Sequence, residues 1–151
     1  MSTNDANPFA PPKAVLDGVA VVAEDAPMLW NPDAAGAWSL LFTPVFGSIL
    51  VRKNWKAIGD EDKARQGAIW LGASIVMLLA TIFIGILGFF YIIVWYFAWQ
   101  RPQAQFIRER WGKDYPRKGW IVPLLAALGI YIAVVVVLTM VIMALGPPLT
   151  R

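Results

Sequence analysis

Two acidic groups are the first places to look for chemistry, Asp60-Glu61-Asp62 and Glu109 with Asp114. Clustered carboxylates bind hard divalent cations. The first group, however, stands just before a long apolar run, where acids cap a helix and meet the positive end of its dipole. Both groups therefore read as solvated helix ends. The chain has no Cys and no His, which removes thiol nucleophiles, disulfides, iron–sulfur ligands, imidazole bases and His-bound zinc. It has no Gly-rich phosphate loop, Ser-x-x-Lys or metalloprotease motif. Within the uncharged runs only Tyr91, Tyr96 and Tyr131 could titrate, with an ordinary pKa near 10, so a proton-coupled carrier or a cation channel finds no ionisable group there. The reading is a protein that is not an enzyme, with no catalytic, metal or cofactor residues.

The element that would position any site is the stretch 67–99, which contains no Asp, Glu, Lys or Arg. A water-soluble helix of that length needs a polar face, and this one has none, so its solvent is lipid. One crossing takes roughly 20 apolar residues, so the run is long for one helix and short for two. The flanks decide. Arg52, Lys53, Lys56, Lys63 and Arg65 precede it, and Arg101, Arg108, Arg110, Lys113, Arg117 and Lys118 follow it. Basic loops stay cytoplasmic, so an even number of crossings joins them. The expectation is a hairpin, out along 64–83 and back along 86–100, turned near Gly85 and Gly88; one long helix is the alternative.

The sequence Trp30-Asn31-Pro32-Asp33 reads as a helix start. The uncharged run 34–51 is long enough to reach about 27 Å, with a kink at Pro44 and Thr43 available to a freed carbonyl. A full crossing is expected here, with a re-entrant or interfacial helix as the alternative. Gly36, Ser39, Thr43 and Gly47 recur at spacings of three and four and give one small face, for packing within the chain or against a partner. Gly59 suits a helix stop. Beyond the hairpin, Pro102 opens a short amphipathic helix whose apolar positions Ala104, Ile107 and Trp111 face the cytoplasmic leaflet. The last crossing is 122–145, capped by Gly146 and stopped by Pro147-Pro148, with Gly129 and Ala133 as a small-xxx-small pair. Trp55, Trp70, Trp95 and Trp99 are expected at interface level, and Trp55, Arg108, Arg110, Trp111, Lys113, Arg117 and Lys118 are candidate lipid contacts. The basic balance, +3 overall, reads as topology charge rather than nucleic-acid binding.

The fold class is thus all-α, an integral membrane helical bundle of about four membrane helices (32–52, 64–83, 86–100, 122–145) with a short surface helix. Residues 30–146 form the membrane domain and 147–151 a short tail. Residues 1–29 form an acidic, Pro-containing tail with no signal-peptide pattern, polyproline-like around Asn7 to Pro12, with a short strand or turn over 15–22. The expected location is the bacterial inner membrane, multi-pass.

The segments Trp30-Asn31-Pro32-Asp33-Ala34-Ala35, Trp38-Ser39-Leu40-Leu41-Phe42-Thr43-Pro44, Asn54-Trp55, Arg101-Pro102-Gln103 and Trp111-Gly112, with the Asn7-Pro8-Phe9…Pro12 tail, resemble a set of small proteobacterial multi-pass membrane proteins. The resemblance covers most of the chain, although those relatives have a longer connection inside the hairpin. Such proteins occur as adjacent paralogues, some near genes for secreted toxins, which implies an immunity role against a membrane-inserting toxin. Two function classes follow: a protein that binds membrane lipids and another membrane protein, the toxin or a second copy of itself, by helix-to-helix contact, or an assembly subunit of a transporter or envelope complex.

Overall fold

The computed structural model describes residues 26–145; the expectations for residues 1–25 of the tail, for Gly146 and for Pro147-Pro148 lie outside the described residues, whereas Ala26 and Leu29, expected in the tail, are buried in the core. The protein is an all-α membrane helical bundle. Its helices are α1 (Pro32–Ile58), α2 (Glu61–Phe83), α3 (Gly85–Trp95), α4 (Arg101–Trp111) and α5 (Ile121–Leu145), with a π-helical turn, Tyr96–Gln100, joining α3 to α4. Of these α1, α2 and α5 are long and apolar enough to cross a membrane.

Helix α1 does not follow the path of a single crossing. It is broken at Phe42 (φ −104°, ψ 16°) and Thr43 (φ 72°, ψ 160°), and its two limbs, 32–41 and 44–58, fold back on one another. Trp30 and Asn54, 24 residues apart, exchange two hydrogen bonds of 3.0 and 2.9 Å; Ala35 packs with Phe46 and Leu50; Ser39 lies against Gly47. Pro44 causes the break, because its ring excludes the α conformation at the preceding residue and it offers no N–H. Small residues then let the limbs close. The first limb is only about 15 Å long at 1.5 Å per residue, half of a roughly 30 Å hydrocarbon layer. The expected kink is therefore a full reversal, and residues 26–31 lie at the same end as residues 52–65, not the opposite one. Thr43 sets this turn rather than accepting a helix partner. Its backbone occupies a region that is essentially glycine's alone, at a cost of about 1–3 kcal/mol, against about 0.4–1 kcal/mol of extra chain entropy for Gly. Thr43→Gly should therefore stabilise the protein by about 1 kcal/mol, read as a higher melting temperature in detergent.

Gly59 (φ 86°) ends α1, with Gly59 N–H bonded to Lys56 O at 3.2 Å and Asp60 N–H to Trp55 O at 3.1 Å. Asp60 then caps α2 through Lys63 N–H at 2.8 Å. Helices α2 and α3 form the second hairpin, reversing at Ile84. Trp70 stacks on Trp99 with centroids 6.1 Å apart, Ser74 meets Tyr91 at 2.9 Å, and Gly88 lies on Thr81 near the tip. The tip residues Phe83, Ile84 and Ile86 are exposed, about 27 Å from the level of Arg65 at helical rise. After the return, the chain does not stop at Pro102. Arg101 N–H reaches Tyr96 O, and this wider turn absorbs the proline, which lacks an N–H and would crowd the carbonyl four residues earlier.

Every charge of residues 26–145 consequently lies at one end of the molecule, eleven basic and six acidic side chains. Leu29 is bonded to the 116–118 segment (Leu29 N–H to Pro116 O, 3.0 Å; Lys118 N–H to Leu29 O, 2.8 Å), and α5 leaves from that end. Its first turns, at Leu124 and Ala127, pack on α1; none of its residues is buried.

Candidate contact site

The small face of α1 is consumed within the chain. Ser39 is fully buried and donates to Ala35 O at 2.7 Å. A Cβ on Gly47 would stand 2.6 Å from Trp95 Cζ2, and one on Gly36 3.3 Å from Gln100 Cγ. The glycines are what lets Trp95 and Gln100 of the second hairpin seat against the first. Gly129 has nothing within 4 Å of its Cβ position, and Ala133 is exposed beside it on α5, so that pair is not packed against another helix among the described residues. Of the expected helix-contact residues, one group is an internal seam and the other a free face.

Between the hairpins runs a line of polar contacts. The Trp95 indole donates to Ser48 Oγ at 2.8 Å, and Ser48 Oγ lies 3.1 Å from Ser74 Oγ, which meets Tyr91 and donates to Trp70 O at 2.7 Å. At the charged end, Gln103 donates to Val51 O at 2.8 Å and accepts from Asn54 Nδ2 at 3.3 Å, while Gln100 donates to Pro32 O. Buried amides and hydroxyls bonded across helices fix register where water is absent. Asn54 alone ties Trp30, both ways, to Gln103. Asn54→Ala strands the Trp30 N–H and the Gln103 side chain, and should cost about 2 kcal/mol, measured as lowered thermal stability in detergent.

The tryptophans expected at interface level are largely internal. Trp55, Trp95 and Trp99 are buried in one cluster with Val51 and Ala64, and Trp111 is buried with Leu29, Ile107 and Tyr115. The apolar face of α4 thus covers the protein's own core rather than lipid. Large rings fill the space between the hairpins there. Arg108, Arg110, Lys113 and Arg117 are exposed and Lys118 is half-buried. Arg108 pairs with Asp33 at 2.9 Å, Arg117 donates to Lys113 O at 2.9 Å, and Arg110 lies over Trp111, 5.3 Å from its centroid. Burial pushes the Tyr115 phenol up, against the pull of Arg117, and keeps it neutral. The acidic groups stay apart: no set of three or more Asp or Glu among the described residues could hold a metal ion.

Sequence reasoning missed Ser48, Asn54 and Gln103 as organising residues. Their signal was present, since an uncharged polar side chain at a helical position between apolar neighbours asks for a partner. Comparison with protein-family models, with curated proteins and with solved structures finds no match for the chain.

Proposed function

We propose that the protein is a non-enzymatic, multi-pass component of the bacterial inner membrane that acts by helix-to-helix contact along α5, and that its partner is a membrane-inserting secreted toxin which it neutralises. The observation that carries the contact reading is the free length of α5. Beyond its first turns its residues are exposed, and Gly129 and Ala133 leave a shallow groove there of the kind that admits a second helix in lipid. The charged end is taken as cytoplasmic by the positive-inside rule. The toxin as partner rests on the resemblance in the Trp30–Pro44 region and the Asn-Pro-Phe tail.

Gly129→Leu tests this cleanly, because a Cβ there has nothing within 4 Å among the described residues. The melting temperature should stay within about a degree of the parent, a change below roughly 0.5 kcal/mol, while protection is lost. Cells expressing the neighbouring toxin with its export signal should hold their membrane potential with the parent protein and lose it with Gly129→Leu. If the parent gives no protection, the toxin reading fails, and co-purification of a transporter or envelope subunit through α5 would put the assembly role in its place.

A further inference from the structure

Trp30 is an unusually well-fixed ring at the charged end. Its backbone is held on both sides by the buried Asn54, and its indole N–H donates to Gly119 O at 3.2 Å. Two lysines from distant parts of the chain converge on it: Lys118 Nζ lies 4.4 Å and Lys53 Nζ 5.6 Å from the ring centroid. The two ammonium groups are therefore at most about 10 Å apart, a separation comparable with the Debye length of about 8–10 Å at 0.1–0.15 M salt. Among the described residues the ion pairs are Arg65–Asp62 and Arg108–Asp33; neither lysine has a carboxylate. Directly below, Trp38, Phe42, Trp120, Leu124 and Ala127 line the junction of α1 and α5, half-buried and uncharged. Two cations on a rigid aromatic platform, above an apolar wall that opens to the membrane, match an anion carrying a hydrocarbon tail.

We propose that Lys53, Lys118 and Trp30 form a binding site for the phosphate of an anionic phospholipid, whose acyl chain lies along the α1–α5 wall. The bridge between Leu29 and Arg117 builds the site, since it fixes Lys118 beside Trp30. The phosphodiester's single negative charge offsets one of the two ammonium charges, and its oxygens accept charge-assisted hydrogen bonds from them. The site does not depend on the toxin reading.

The test uses the full chain in detergent, with retention of phosphatidylglycerol against phosphatidylcholine read by native mass spectrometry. The parent should prefer phosphatidylglycerol, and Lys53→Gln/Lys118→Gln should lose about fivefold of that preference per lysine. The control Lys56→Gln/Lys113→Gln removes the same charge from exposed positions and should keep the preference. Equal loss in both double variants would overturn the proposal in favour of diffuse net charge. Displacement of the lipid by millimolar inorganic phosphate would overturn it in favour of a free-anion site. If the double variant melts early, Lys118→Arg decides: it keeps the cation at the ring and should retain the lipid, and loss of the lipid from a well-folded Lys118→Arg protein counts against the site.

Discussion

Gly47→Val should destabilise the bundle by roughly 3 kcal/mol or more, at or above the upper end for overpacking, and bring little folded protein to the membrane. The valine Cβ would stand 2.6 Å from Trp95 Cζ2 and inside the contact radius of Ser39 Oγ. Neither neighbour has room to give. Ser39 is buried and bonded to Ala35 O, and Trp95 is fully buried with its indole held by Ser48. The substitution thus opposes two contacts at once, closure of the α1 limbs and docking of the second hairpin on them. Gly72→Val is the matched control, because Gly72 lies in an equally apolar helix with nothing within 4 Å. The gain in helix propensity from Gly to Val is the same at both sites, so the difference in denaturant midpoint or melting temperature reports packing alone. A Gly47→Val protein as stable as Gly72→Val would mean that the limbs of α1 do not close on each other.

The sequence was most legible where charge and capping speak directly. The uncharged stretch 67–99 between two basic flanks implied a hairpin, and the molecule has one, reversing at Ile84. Gly59 and Asp60 announced the end of α1 and the start of α2, and they perform those roles. The α1 reversal was harder to read for a physical reason. Gly36, Ser39, Thr43 and Gly47 fall on one face of a straight helix, and the same spacing also serves two limbs meeting across a break at Pro44, so periodicity does not separate the alternatives. Charge offered no help, since the N-terminal approach to Pro32 is not basic. What favours reversal is Asn54, a polar side chain buried by bonding to Trp30, and that partnership is tertiary. Tryptophan misleads in a similar way. Its preference for interfaces placed Trp55, Trp95 and Trp99 at the membrane surface, whereas two hairpins meeting at a polar end need large rings to fill the space between them.

The fold-back of α1 sets which end of the chain faces which compartment, and it predicts an all-or-none labelling pattern. The protein has no native Cys, so single introduced thiols report location without background. Met28 and Ala57 are exposed at the charged end, and Leu145 is exposed at the far end of α5. In intact cells treated with a membrane-impermeant thiol reagent, Leu145→Cys should be labelled. Met28→Cys and Ala57→Cys should both stay unlabelled until the membrane is permeabilised. Labelling of Met28→Cys in intact cells alongside protection of Ala57→Cys would show that α1 crosses the membrane once, and would contradict the fold-back and the one-ended charge distribution that follows from it.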